Sequence, residues 1–138
     1  TTEGGLKLSG GLKSLGKTIE RIKRAGIEVS LFIDPDASSV RSAKALGADT
    51  VELCTTAYCR AAGKNNVKAE LERIELAGYL AFEMGLNLHA GHGLDYHNVQ
   101  AVSRIPHLTA VNIGFAIVAR AVFVGLKAAV TEMKHLIS

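Results

Sequence analysis

Cysteine is scarce in this 138-residue chain, with only Cys54 and Cys59. A structural zinc usually needs four ligands, and two thiols with no close second pair do not supply them. Reduced structural thiols are therefore expected, with neither a bound metal nor a disulfide. Aromatic residues make up only 5% of the chain, and none is interleaved with the basic cluster Lys17, Arg21, Lys23 and Arg24. That cluster shares a helical stretch with Glu20, so it reads as a solvated face and not as a nucleic-acid surface. No apolar run is long enough to span a bilayer and no targeting pattern is visible, so neither a membrane partner nor export is indicated, and a cytoplasmic location is expected. There is no composition shift, low-complexity segment or linker, and residues 1–138 read as a single unit.

What is present is a strict alternation of helix and strand signals. Leu12–Ala25 places Leu12, Leu15, Ile19 and Ile22 on one stripe, closed by Gly26. A β-rich run, Ile27–Ile33, ends at Asp34-Pro35. Asp36 is placed to cap a helix reaching Leu46 and closed by Gly47. Asp49–Cys54 is a second strand, followed by a polar loop with glycine and asparagine. Val67–Met84 is a long helix stopped by Gly85. Leu86–Ala90 is the third strand, Asp95–Arg104 a helix halted before Pro106, and Leu108–Ile113 the fourth strand. Phe115–Ile137 reads as helical with a break at Gly125. Such alternation implies an α/β fold with a parallel sheet and right-handed crossovers, and the mostly apolar strands predict burial on both faces.

Two architectures fit, an open doubly wound sheet and part of a (β/α)8 TIM barrel. Asp34 follows the first strand, Glu52 lies within the second, His92 follows the third, and Asn112-Ile113-Gly114 ends the fourth. Polar groups after each successive strand, instead of at one switch point, favour a barrel rim. Four strands would be half a barrel. The chain also opens on Thr1-Thr2-Glu3-Gly4-Gly5, which reads as a loop already under way, so a cut from something longer is expected.

The most informative stretch is Leu88-His89-Ala90-Gly91-His92-Gly93-Leu94. It places an imidazole between two glycines at the C-terminal end of a strand. Small residues there let a ligand approach the backbone, whose N–H groups suit an anion. An imidazole beside them exchanges a proton near neutral pH. The net charge of +3 is modest and scattered, which suits small anionic molecules better than DNA or a membrane.

Thr1-Thr2-Glu3-Gly4-Gly5-Leu6, Glu28–Asp34, Val51-Glu52-Leu53, Ala90-Gly91-His92-Gly93-Leu94 with Tyr96-His97-Asn98-Val99, and Asn112-Ile113-Gly114 form an ordered series. In order and spacing it resembles the C-terminal half of the pyridoxine 5′-phosphate synthase family, along essentially the whole chain. The resemblance implies a (β/α)8 barrel with extra helices, of which this chain would hold strands five to eight, assembled as a homo-octamer. It implies condensation of 1-deoxy-D-xylulose 5-phosphate with 3-amino-2-oxopropyl phosphate, releasing phosphate and water, with no metal or organic cofactor. The family's proton-accepting histidine and glutamate belong to earlier strands that this sequence does not contain.

By this resemblance His92 matches the proton donor and Glu52 a transition-state stabiliser. Gly93, Gly114 and Phe115 match positions that bind the aminoketone phosphate, and Thr1 the threonine that contacts the deoxyxylulose phosphate. Phe115 stands where the family often has histidine, Cys54-Thr55-Thr56 replaces a His-Thr-Gly stretch, and His89 replaces an asparagine; these departures affect substrate contacts. His97, His107 and His135 have weaker claims, and Arg120 is expected to support the phosphate loop or pair with a carboxylate. Two other readings compete. One is another phosphate-handling barrel, although the absence of lysine from all four strands argues against a Schiff-base aldolase. The other is a noncatalytic, phosphate-binding or oligomerising half-barrel.

Overall fold

The computed structural model describes residues 4–8 and 12–138. Four parallel strands form one sheet in the order β1-β2-β3-β4: β1 Ser30–Ile33, β2 Thr50–Cys54, β3 Asn87–Gly91 and β4 Leu108–Asn112. The connections run through α1 Leu12–Arg24 ahead of β1, α2 Ala37–Ala45, α3 Thr56–Arg60 with α4 Lys64–Glu83, and α5 Val99–Ser103. Helices α6 Phe115–Val124 and α7 Leu126–Ile137 follow β4. The spatial order equals the chain order, with no reversal point. The architecture is α/β, as the alternation implied.

Local chemistry accounts for the element ends. Asp36 accepts from the Ser39 N–H at 2.9 Å, and from the Ser39 and Ser38 hydroxyls at 2.7 and 2.6 Å, which caps α2. Gly125, at φ +83°, is the break between α6 and α7. Arg120 on α6 pairs with Glu132 on α7 at 2.8 and 3.0 Å, so its partner is a carboxylate and not the loop at the head of α6. The basic residues of α1 are exposed, and Lys23 reaches Asp49 at 2.6 Å and the Gly47 carbonyl at 2.8 Å. No helix of the described residues is long and apolar enough to cross a membrane.

Three expectations are corrected. The first strand begins at Ser30 and not Ile27: Ile27 is exposed, and Val29 is held at the lead-in to β2, its carbonyl accepting from the Asp49 and Thr50 N–H groups and its N–H donating to the Asp49 carboxylate. The loop after β2 contains α3, and α4 starts at Lys64; its first turn, Lys64-Asn65-Asn66, is exposed and polar, so it carries no apolar period. The fifth helix is only Val99–Ser103, because Asp95 forms a turn, its Oδ1 accepting from the N–H groups of His97 and Asn98 at 2.7 and 3.0 Å.

Burial on both sheet faces is also corrected. The register aligns Leu31, Val51 and Leu88 in one row and Ile33, Leu53 and Ala90 in another, and all six are buried among helix residues such as Val40, Ile74 and Val102. The intervening row, Phe32, Glu52, His89 and Ala110, points the other way and is only half-buried. A bulge between Leu88 and His89 sets β4 in this register, and the Thr109 hydroxyl donates to the Leu88 carbonyl at 2.9 Å. One face carries the core, and the other carries polar groups.

Candidate functional site

The polar face and the C-terminal ends of the strands form an open cleft of about 1620 Å³. Its walls include Phe32 from β1, Glu52 from β2, the loop His92–His97, Asn112 from β4, and Gly114, Phe115 and Ala116 at the start of α6. His92, Glu52, Gly93, Gly114 and Phe115 thus line one cleft, although Glu52 and Phe115 are 63 positions apart in the chain. Thr1, with Thr2 and Glu3, lies outside the described residues.

Alternation fixes Glu52. Val51 and Leu53 are fully buried in the core, so the side chain between them emerges on the cleft face. Its Oε2 accepts a hydrogen bond from Asn112 Nδ2 at 2.7 Å, across β3. Gly91 lies between them, and a Cβ at that position would overlap Glu52 Oε1 and come within 3.0 Å of the Asn112 carbonyl.

His92 has a left-handed backbone, φ +80°, followed by Gly93 at φ +83°. For a residue with a Cβ this conformation costs energy, which neighbouring bonds must offset. Thr55 supplies them. Fully buried, its hydroxyl hydrogen is shared between the carbonyls of Gly91 at 2.8 Å and His92 at 2.6 Å, while its N–H donates to Gly91 at 2.8 Å. Beyond Gly93 the loop is tied by Asn98, whose Nδ2 donates to the Gly93 carbonyl at 3.3 Å and whose Oδ1 accepts from the Asp95 N–H at 2.8 Å. The Tyr58 hydroxyl on α3 in turn donates to the Asn98 carbonyl at 2.8 Å. Burial raises the Tyr58 pKa, with the charges of Cys59 and Asp95 adding to the effect, so the phenol keeps the proton it donates. The His92 ring leans toward Phe32, with centroids 6.1 Å apart.

Cys59 packs beneath Gly93, where a Cβ would meet its Cβ and Sγ at 3.1 and 3.2 Å. Burial pushes its thiol pKa up, Asp95 and Cys54 push the same way, and the Thr55 hydroxyl opposes them only in part. A thiol held protonated in this way is a packing group and not a nucleophile. Cys54 Sγ lies 3.1 Å from the Thr56 hydroxyl. Among the described residues, no three His, Cys, Asp or Glu side chains are grouped to hold a metal ion.

The head of α6 supplies donors of another kind. Gly114 precedes the helix, whose first intrahelical bond runs from the Val118 N–H to the Gly114 carbonyl at 3.0 Å. The N–H groups of the first turn lie ahead of that bond, at the positive end of the helix, and no acidic side chain occupies the turn. Phe115 lines the cleft while remaining 90% exposed. The titratable side chains lining the cleft are Glu52, Asp95, His92, His97 and Tyr96, with no lysine or arginine among the described residues there. The remaining histidines stand apart. His89 lies beside Glu52 in the same row, His107 stacks on Phe82 at 3.6 Å, and His135 sits in the last turn of α7.

Sequence reasoning missed the parts played by Thr55, Gly91 and Asn112. The sequence marks Thr55 as a departure in the loop after the second strand and Asn112 as a polar group ending the fourth, but neither reading shows the contacts with Gly91, His92 and Glu52.

The family described as "Pyridoxal phosphate biosynthesis protein PdxJ" matches over residues 1–138. The pyridoxine 5′-phosphate synthase of Magnetococcus marinus is 49% identical over 136 residues, 99% of this chain and 56% of that protein. That of Sulfurihydrogenibium sp. is 47% identical over 137 residues, 99% of this chain and 56% of its own length. That of Coxiella burnetii strain Dugway is 45% identical over 138 residues, all of this chain and 58% of its own. The chain therefore spans little more than half the length of the curated relatives it matches. With a whole-chain family match and near-half identity to several relatives, the chain belongs to the PdxJ pyridoxal phosphate biosynthesis family.

Proposed function

We propose that residues 1–138 are one unit, the C-terminal half of a (β/α)8 barrel, and supply half of a pyridoxine 5′-phosphate synthase active site. The reaction is a transferase condensation of 1-deoxy-D-xylulose 5-phosphate with 3-amino-2-oxopropyl phosphate, giving pyridoxine 5′-phosphate, phosphate and water. The observation that carries this reading is the single cleft shared by His92, Glu52, Gly93, Gly114 and Phe115 at the C-terminal ends of consecutive parallel strands. Barrel enzymes place their chemistry on that rim. A parallel sheet is normally covered on both faces, and here one face is open and β1 and β4 are both sheet edges, so closure by further strands completes it.

In this reading the His92 imidazole protonates the departing oxygen during ring closure and dehydration. The Glu52 carboxylate, aimed into the cleft, stabilises positive charge developing on the imine nitrogen. Main-chain N–H groups of Gly93, Gly114 and Phe115 hold the aminoketone phosphate at the head of α6, a role in which a phenylalanine side chain serves as well as a histidine. With no lysine or arginine on this part of the cleft, helix-end and main-chain donors carry the anion here. Thr1 contacts the second phosphate. The chemistry requires no metal or organic cofactor, and the site acts in a cytoplasmic homo-oligomer, an octamer by the family resemblance.

The test is His92→Asn in the longest natural chain that contains these residues. Product formation is expected to vanish while the circular dichroism spectrum and oligomeric mass stay unchanged. Near-normal turnover would overturn the role of His92. Full activity from the 138 residues alone would overturn the half-site reading.

A further inference from the structure

Glu52 belongs to β2 and Asn112 to β4, with a whole strand between them, yet their side chains are joined at 2.7 Å. The register explains how. Gly91 is the β3 residue paired with Asn112 on one side and with Cys54 on the other, two positions beyond Glu52. A side chain at position 91 would occupy the space of the Glu52 carboxylate and crowd the Asn112 main chain. The missing side chain leaves a slot, the carboxylate lies along it, and the amide on the far strand holds its end.

We infer that Asn112 is a positioning residue for Glu52, acting through this slot over Gly91. The inference rests on the proposed role of Glu52 and adds how its geometry is held. A carboxylate only accepts, so the amide nitrogen of Asn112 is the atom that faces it. One oxygen, Oε2, is committed to Asn112. The other, Oε1, lies over Gly91 on the cleft face and is the one left for a substrate cation. A glutamate on a strand has several staggered side-chain states, and a single partner on β4, one strand further along the sheet than β3, selects one of them. No buried ion pair is involved and Asn112 is exposed, so the contact serves aim more than stability.

The test is a double-mutant cycle in the longest natural chain that carries these residues, with steady-state turnover of both phosphorylated substrates as the readout. Asn112→Ala is expected to lower kcat by roughly 10- to 100-fold with KM and melting temperature nearly unchanged, the range typical when the support of an oriented group is lost. In a Glu52→Gln background the same change should cost little more, because the group that it positions is already gone. Asn112→Asp, isosteric but repelling the carboxylate, should be at least as damaging as Asn112→Ala. Wild-type kcat in Asn112→Ala, or losses that multiply with those of Glu52→Gln, would overturn the inference. Unchanged turnover in Glu52→Gln itself would overturn the role of Glu52. The geometry is read separately, from a crystal structure of Asn112→Ala: a carboxylate still lying over Gly91 overturns positioning whatever the kinetics.

Discussion

Replacing Thr55 by valine removes a single buried hydroxyl and keeps the side-chain shape, so its consequences follow from the bonds it makes. The hydroxyl serves two carbonyls, and the loss is unequal. Gly91 keeps the Thr55 N–H at 2.8 Å, whereas His92 keeps only the Cys59 thiol at 3.7 Å. A carbonyl left without a good partner in a buried site costs about 1–3 kcal/mol. The half-buried position of His92 puts the expected loss in the lower part of that range, about 1–2 kcal/mol. The left-handed backbone of His92 stores about a further 1–2 kcal/mol that the lost bond no longer opposes. The cheaper outcome is relaxation of residues 91–93, which moves the imidazole away from the cleft. Thr55→Val is thus expected to lower the melting temperature by a few degrees and kcat by roughly 10- to 100-fold, with KM changed little. Thr55→Ser keeps the donor and loses only a methyl group, so its kcat should stay near wild type. Denaturant unfolding and steady-state kinetics on the three proteins separate the two effects. A Thr55→Val enzyme that loses stability but keeps wild-type kcat would refute the reasoning, as would a serine variant as slow as the valine one.

Other perturbations have equally direct readings. Asp36→Ala removes three hydrogen bonds at the head of α2 and should cost about 1 kcal/mol in urea unfolding without touching kcat. Stability should also fall in acid. The Lys23 hydrogen bond, helped by the Val29 N–H, lowers the Asp49 pKa; burial tends to raise that of Asp36, but bonds from Ser38 and Ser39 outweigh it. Carboxyls with depressed folded pKa values stabilise above their unfolded pKa near ~3.9, and that contribution fades as pH falls through the lower folded values. Asp49→Asn should therefore flatten the acid limb of a stability-pH curve, and an unchanged limb would show that the Lys23 contact contributes nothing. Gly91→Ala forces a Cβ onto Glu52 and the Asn112 main chain, so about 1–3 kcal/mol of overpacking should accompany a collapse in turnover. Cys59 should react with iodoacetamide at neutral pH far more slowly than a free thiol, and the rate should rise only at alkaline pH.

Much of this layout is legible because it is local. Alternation alone sends Glu52 away from Val51 and Leu53, the Asp36 cap is written in Asp-Ala-Ser-Ser, and the helix break needs nothing beyond Gly125. What escapes sequence reading is held together by contacts between distant positions. Thr55 acts on carbonyls 36 and 37 residues away, and Asn112 on a carboxylate 60 residues away. A hydroxyl that bonds main-chain oxygens leaves no trace in hydrophobic period, since any carbonyl presents the same acceptor. Helix α3 is hidden for a related reason. Five residues give too little period to detect, and its anchor, Tyr58 to the Asn98 carbonyl, becomes visible only once β2 and β3 are neighbours.

The two sheet faces divide the work, and the division follows from a two-residue repeat. Leu31, Val51 and Leu88 meet helices, and truncating them removes apolar area from water at about 25 cal/mol per Å². Phe32 and Glu52, one position further along β1 and β2, line the cleft and are only half-buried. A change in the first row should therefore appear chiefly as lost stability, and a change in the second chiefly as lost turnover. The strand ends depart from this division, because Gly91 and Thr55 serve both purposes. Gly91 must be small for Glu52 to lie across it beside the Asn112 main chain, and the buried Thr55 holds the half-buried turn at His92. At those two positions stability and chemistry share the same atoms, so substitutions there should impair both together.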